Sequence, residues 1–439
     1  MSLLKWYVGV TPMTKLLWSL CLGVLLGLGC WWIQLEYSWA APGIQSVLAE
    51  VVSPLGNLFI QMLKMVVVPI VFFTILQGTF QLPLKELGNV GFRLIALYIL
   101  SSGLAAAVGV AFAVFTDPGA GQVEIWQQIG FKATAQSGMS AAPQSVSRSG
   151  LWEVVLSMFS NPFEALSNSN FLGMIVFAMS FGLALGAVRD GSLQDSRISE
   201  GLRVLQSVID AVNMALHKMV HWIMEYAPLG VFALTLVNFS LYGPAIVGPY
   251  LKVVGGVICA ILFMIFVVYG FFVHFVARCS VVTFFKAVRK PMLTAFVTRS
   301  SAAALPISME AAVEGLGVSR EVASFALPMG ATINMDGVCV HLPMFAILAV
   351  NIFGISIGTW DLALLLVSTV LAAVGTGGIP GGSLMLLFII LGALGLDEQQ
   401  TAVVVSLALG VNPIIDMFET MNNVAGDLLC TYLVGRRTT

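Results

Sequence analysis

Charge is what this 439-residue sequence has least of. Lys, Arg, Asp and Glu make up 10% of it, 20 basic against 22 acidic residues, where a soluble domain carries about a quarter. With a net charge of −2 and no basic excess, that scarcity excludes a nucleic-acid binder, a disordered chain and an ordinary cytosolic enzyme. Metal or redox spacing of cysteine is missing as well. Cys21, Cys30, Cys259, Cys279, Cys339 and Cys430 stand singly, mostly in apolar runs, where a thiol behaves as a small hydrophobe. The alternating pattern of a membrane barrel is absent. No cleavable signal peptide is expected, because the apolar run 16–35 behind Lys5 and Lys15 is long enough to span. What the sequence does have is hydrophobicity, 58% of its residues, and it reads as an all-α polytopic membrane protein.

A bilayer core about 30 Å thick needs about 20 apolar residues in a helix. Uncharged stretches of that length lie at 16–35, 65–84, 94–116, 165–188, 226–251 and 253–277. The second is expected to begin near Val51, interrupted only by Lys64, and a further helix is expected from about 205 to 239. Lys5, Lys15, Lys85, Arg93, Arg189, Arg197, Arg203, Arg278, Lys286, Arg289, Lys290, Arg436 and Arg437 gather on one side of such a bundle. The opposite loops hold Lys132 and Arg148, in the polar stretch 117–150, whose part 133–150 reads as a flexible outer loop. This bias predicts cytoplasmic termini and an even number of crossings.

From Thr294 to Asp427 the apolar runs carry Gly, Pro and small polar clusters. They stand at 299–306, 330–337, 375–383 and 412–416. Clustered Gly and Pro break helices, and broken backbone at membrane depth survives only when packed in protein or lining a wet cavity. Two successive pairs, each a hairpin and then a broken helix, suggest an internal repeat, the sequence pointer to a transporter's midplane site. Arg299, Asp336, Asp416, Glu419 and Asp427 all fall in these segments, and each would cost several kcal/mol unpaired in hydrocarbon. Asp416, Thr420, Asn423 and Asp427 share one helical face, flanked by Glu419. That face is rich in oxygen, the ligand of hard cations, and unwound carbonyls near 334–337 can add more. His217 and His221, four residues apart, have no third metal ligand in view and read as a wet helix face.

Taken together, the segment 62–70, the serine tip after Arg299, Asn334-Met-Asp-Gly337 and Asp416-x-x-x-Thr420-x-x-Asn423-x-x-x-Asp427 resemble the dicarboxylate/amino-acid:cation symporter family, that of the glutamate transporters. The match covers nearly the whole chain. The resemblance implies a homotrimer of eight membrane helices and two re-entrant hairpins, here about 284–315 and 361–394. It also implies an elevator, in which a transport part (about 88–117 and 251–435) slides past a scaffold (about 14–80 and 151–250). The second tip, 375–383, would be the gate. The implied location is a bacterial inner membrane, with no cofactor and Na+ as coupling ion.

Three sodium sites carry over by resemblance. One would use Asp427 with backbone oxygens of Gly330, Asn334 and Asn423. A second would use Thr332, Met335, Ala373, Val374 and Thr376. A third would use Tyr98, Ser101, Ser102, Asn334 and Asp336. Ser300, Ser301 and Asn423 would hold a substrate α-carboxylate and Asp416 its α-ammonium, with Arg299, Met335, Val338, Ile379, Gly381, Glu419 and Thr420 completing the pocket.

The side-chain pocket departs from the family's acidic-substrate members. They place an arginine where this chain has Glu419, usually a threonine at Val338, and an acid at Asn412. Arginine reads a carboxylate bidentately and glutamate repels it, whereas Glu419 can accept from a serine or threonine hydroxyl. The Arg-Ser-Ser-Ala-Ala tip and the Glu419-Thr420 pair look like the family's sodium/serine–threonine branch, although Asp336 follows the general family. Neutralisation by Arg299, or protonation, would soften the exclusion. The expected function is sodium-coupled symport of small neutral amino acids, with serine, threonine and alanine foremost. The alternative is a sodium- or proton-coupled glutamate, aspartate or dicarboxylate symporter. A passive ion channel has no repeated pore motif in its favour. An intramembrane aspartyl protease needs carboxylates in contact, whereas Asp416 and Asp427 lie roughly 16 Å apart along one helix.

Overall fold

Backbone groups in hydrocarbon must bond within their own segment, so apolar runs of this length fold as helices. The computed structural model describes residues 12–81, 88–118, 156, 158–167, 170–191, 196–374 and 381–436, and among them every regular element is helical. In chain order these are α1 (Pro12–Glu36), α2 (Ala41–Phe80, with a π turn at Leu48–Val52), α3 (Gly88–Thr116), α4 (Pro162–Ser167) and α5 (Phe171–Gly191). Next come α6 (Ser196–Tyr242), α7 (Val247–Phe263, prolonged by π turns at Met264–Tyr269 and Phe272–Val276), α8 (Val281–Thr298) and α9 (Ser301–Glu310). The last are α10 (Arg320–Ile333), α11 (Asp336–Phe353), α12 (Thr359–Ala373), α13 (Gly382–Ala393) and α14 (Glu398–Gly435). Eight helices of the described residues are long and apolar enough to cross a membrane.

Three sequence expectations need correction. The stretch 226–251 is not one span. Its first part belongs to the 47-residue α6, which stops at Gly243 (φ +56) and Pro244, the left-handed glycine and following proline that end helices. The run 165–188 is also divided, because α5 begins afresh where the Asn170 side chain accepts the Gly173 N–H at 3.2 Å, an N-cap. Finally, α14 continues unbroken through Pro413. A proline removes one ladder bond, and tight packing by neighbouring helices keeps the rest of the helix in place.

Other breaks fall where they were expected. α8 ends at Arg299 in the left-handed region (φ +54), and Ser300, extended, caps α9 by accepting the Ala303 N–H at 3.2 Å. The chain then doubles back, bringing Gly315 against Ala287. Between α10 and α11, Asn334 and Met335 leave the helical region. α12 and α13 pack together on either side of the tip, of which residues 375–380, including Thr376 and Ile379, lie outside the described residues.

Packing divides the bundle into two groups. α1 and α2 lie along α6, with α5 on α2. α3, α7, α8, α10, α11 and α13 gather round α14, with α11 almost wholly buried at their centre. The groups meet where α6 touches α14 and α2 touches α10 and α13.

Candidate functional site

The site forms where the α10–α11 break crosses α14. A Cβ on Gly337 would stand inside the main chain at Glu419, so only glycine lets the start of α11 press on α14 there. Released from the helical ladder, the Gly337 N–H donates to Asn423 Oδ1 at 2.7 Å instead of to the Ile333 carbonyl. The Asn423 amide in turn reaches Met335 Sδ at 3.4 Å. Asn334 Nδ2 donates to Asp427 Oδ1 at 3.1 Å. The unwound segment is therefore held to the polar face of α14 by Asn423 and Asp427, successive residues of that face.

Asp336 is fully buried and accepts three hydroxyls: Ser101 and Tyr269 (2.6 Å) on Oδ2 and Ser102 (2.9 Å) on Oδ1. Ser102 also lies 3.5 Å from Asn334 Oδ1. A Cβ on Gly426 would stand 2.6 Å from Asp336 Oδ2 and 2.8 Å from the Tyr269 hydroxyl, so the bare backbone of α14 makes room for this cluster. Tyr98 donates to the Ala326 carbonyl at 2.8 Å, and its hydroxyl and Asp427 both flank Gly330. Among the described residues, neither Asp336 nor Asp427 has a Lys, Arg or His partner. Two buried carboxylates amid hydroxyl, amide and carbonyl oxygens are a donor set that fits a hard monovalent cation. Thr332 bonds back to the Pro328 carbonyl at 3.2 Å, while Ala373 is buried and Val374 half-buried at the end of α12.

Near the α8–α9 turn and the start of α13, Asp416 Oδ2 accepts the Gly381 N–H at 3.2 Å and faces Arg299 Nη1 at 3.6 Å. Thr420 donates to the Asp416 carbonyl at 2.8 Å. Ser301, at the start of α9, is buried with a hydroxyl that has no partner among the described residues. Val338 and Met335 are buried beside these groups on α11 and at its start. Arg299 thus engages Asp416, and of the two ways of softening the exclusion, neutralisation of Glu419 by Arg299 is not what the structure has. Arg299 sits at a left-handed cap from which its guanidinium meets Asp416, and Glu419 has found another partner.

That partner is His341 Nδ1, in contact with Glu419 Oε1, while Ser383 on α13 donates to Oε2 at 2.9 Å. Glu419 and His341 are 1% and 0% exposed, so neither can rely on water. His341, Tyr269 and Ser383 were not singled out from the sequence. His341 carried a usable signal: it lies three residues past Val338, on the same helical face, as a lone polar residue in an apolar run. Tyr269 carried none, since a single tyrosine within the apolar run 253–277 has no spacing that ties it to an acid on another helix.

Similarity to known proteins covers nearly the whole chain. The sequence profile described as "Sodium:dicarboxylate symporter family" matches residues 13–437. A proton/glutamate-aspartate symporter of Escherichia coli (strain K12) is 28% identical over 424 residues, 96% of this chain and 92% of that protein. A proton/sodium-glutamate symport protein of Bacillus subtilis (strain 168) is 28% identical over 425 residues, with the same coverage of 96% and 92%. The serine/threonine transporter SstT of Acinetobacter baumannii (strain ATCC 17978) is 28% identical over 437 residues, 99% of each chain.

Proposed function

The chain belongs to the sodium:dicarboxylate symporter family, a family of transporters and not of enzymes, and on that premise we propose that it couples Na+ movement to uptake of a small neutral amino acid. Serine, threonine and alanine are the foremost substrates. One observation carries the substrate class: the acid at the side-chain end of the site, Glu419, is buried with His341 and Ser383 on its two oxygens. A substrate carboxylate there meets an anion, at a cost of several kcal/mol relative to a cationic pocket, whereas a hydroxyl can donate to it. In this reading Asp416 takes the α-ammonium, and Ser300, the unpartnered hydroxyl of Ser301 and the Asn423 amide take the α-carboxylate.

An acidic amino acid is the second reading, and it also has an observation. Arg299 engages Asp416 through Nη1 at 3.6 Å and has four further N–H donors, enough for a carboxylate. Relatives named for glutamate and for serine/threonine are equally similar to this chain. A competition panel in proteoliposomes decides between them, using serine, alanine, aspartate and succinate against a labelled substrate with and without Na+. Serine and alanine should compete and aspartate should not; aspartate as the strongest competitor would overturn the neutral reading.

Sodium is the coupling ion in this proposal, carried at Asp336 and Asp427. Supporting it, both acids are buried without a cationic partner among the described residues. The segment 334–337 links them to Asn423, so ion and substrate share one piece of unwound backbone. Gly426→Ala should push Asp336 off its hydroxyls and lower apparent Na+ affinity about tenfold, as expected for one lost charge-assisted contact. A Na+-activation curve matching that of the parent protein would remove Asp336 from the ion path.

The wider mechanism follows the family. α1, α2, α5 and α6 form the scaffold through which three copies assemble, and 88–117 with 251–435 form the moving part. Residues 284–315 and 361–394 act as re-entrant hairpins, with the second tip as gate and both termini cytoplasmic. The packing of the helices into two groups that meet across α2, α6 and α14 supports this division.

A further inference from the structure

His341 enters the transport reading only as a neighbour of Glu419, with no role of its own. It is completely buried on α11, its Nδ1 touches Glu419, and Phe345, one turn on, stands edge-to-face against the ring at 4.8 Å between centroids. Its Nε2 is buried with no partner among the described residues. A buried carboxylate on its own is the natural counter-ion of a cationic side chain. Here each of the two oxygens already has one partner, an imidazole on one and the Ser383 hydroxyl on the other.

We propose that His341 determines the substrate class: by holding Glu419, it keeps the pocket for neutral side chains and closes it to cationic ones. His341 is a positioning residue, acting through Glu419. It removes the carboxylate from competition for an ammonium group and sets the direction of the remaining lone pairs, which a substrate hydroxyl can use. Phe345 packs edge-to-face on the imidazole ring and restricts its rotation. This inference rests on the neutral amino-acid reading, and the parent protein's competition panel tests that reading separately.

The test is a change of substrate, which misfolding cannot produce. Uptake of labelled serine and of labelled 2,4-diaminobutyrate is measured in proteoliposomes for the parent protein, His341→Leu, His341→Phe and His341→Asn. The apolar variants bare Glu419. Diaminobutyrate uptake should then rise, with an apparent affinity at least about tenfold tighter than the parent's and serine affinity about tenfold weaker, the range expected for one charge-assisted contact. His341→Asn places an N–H donor where Nδ1 stood and should restore the preference for serine. Apolar variants that keep the parent's discrimination between serine and diaminobutyrate would overturn the proposal. So would loss of all uptake in both, because His341 is assigned to selection and not to the transport step. An asparagine variant that takes up diaminobutyrate as the leucine variant does would overturn it as well.

Discussion

Replacing Asp416 with alanine is expected to lower amino-acid uptake by at least about a hundredfold, since removing one partner of a buried ion pair costs on the order of 3–5 kcal/mol. Two losses combine. The substrate's α-ammonium loses its carboxylate, and Arg299, itself buried, loses the group 3.6 Å from its Nη1. The second loss acts on the protein before substrate arrives, so the variant needs a control that separates them. Asp416→Asn keeps an acceptor for the Gly381 N–H, now 3.2 Å from Oδ2, while removing the charge. If the ammonium contact dominates, both variants fail in Na+-driven uptake although both run as folded protein on size exclusion. Uptake by Asp416→Asn at the parent's rate would mean that the α-ammonium is bound elsewhere.

Glu419→Arg should reverse the preference between serine and aspartate, changing the ratio of their uptake by at least about a hundredfold. Exchanging an anion for a cation a few ångströms from a substrate carboxylate changes its energy by several kcal/mol even with partial screening. The two neighbours that hold Glu419 favour the outcome. Ser383 can turn to accept from the new guanidinium, and a neutral imidazole at His341 can accept as well. The measurement is paired uptake of labelled serine and aspartate at equal concentration. Serine transport persisting with aspartate still excluded would move the substrate side chain away from position 419.

The helical breaks show how differently the sequence spoke at different places. Asn334-Met-Asp-Gly337 and the Arg299-Ser300 tip were legible because polar and glycine residues interrupt apolar runs, and the helices do end there. The proline of 412–416 was misleading, since α14 runs through it: the cost of one missing ladder bond is small beside the packing of a helix buried among its neighbours. The opposite error occurred at 226–251, where hydrophobicity alone concealed the turn at Gly243. Within the site, the face Asp416–Thr420–Asn423–Asp427 could be drawn from helical spacing, as could the presence of Glu419. Its partner could not, because His341 lies 78 positions away on another helix.

What length, hydrophobic run and the placing of acids in apolar segments decide is local: that the chain forms membrane helices, where several of them break, and which side chains cannot be idle in lipid. Which group each buried charge meets is a question of long-range geometry. The approach of α11 to α14 at Gly337 gave Glu419 an imidazole, and the left-handed cap gave Asp416 the guanidinium. A carboxylate's chemistry depends on what stands within a few ångströms of it, and in a helical bundle most of those neighbours come from other helices.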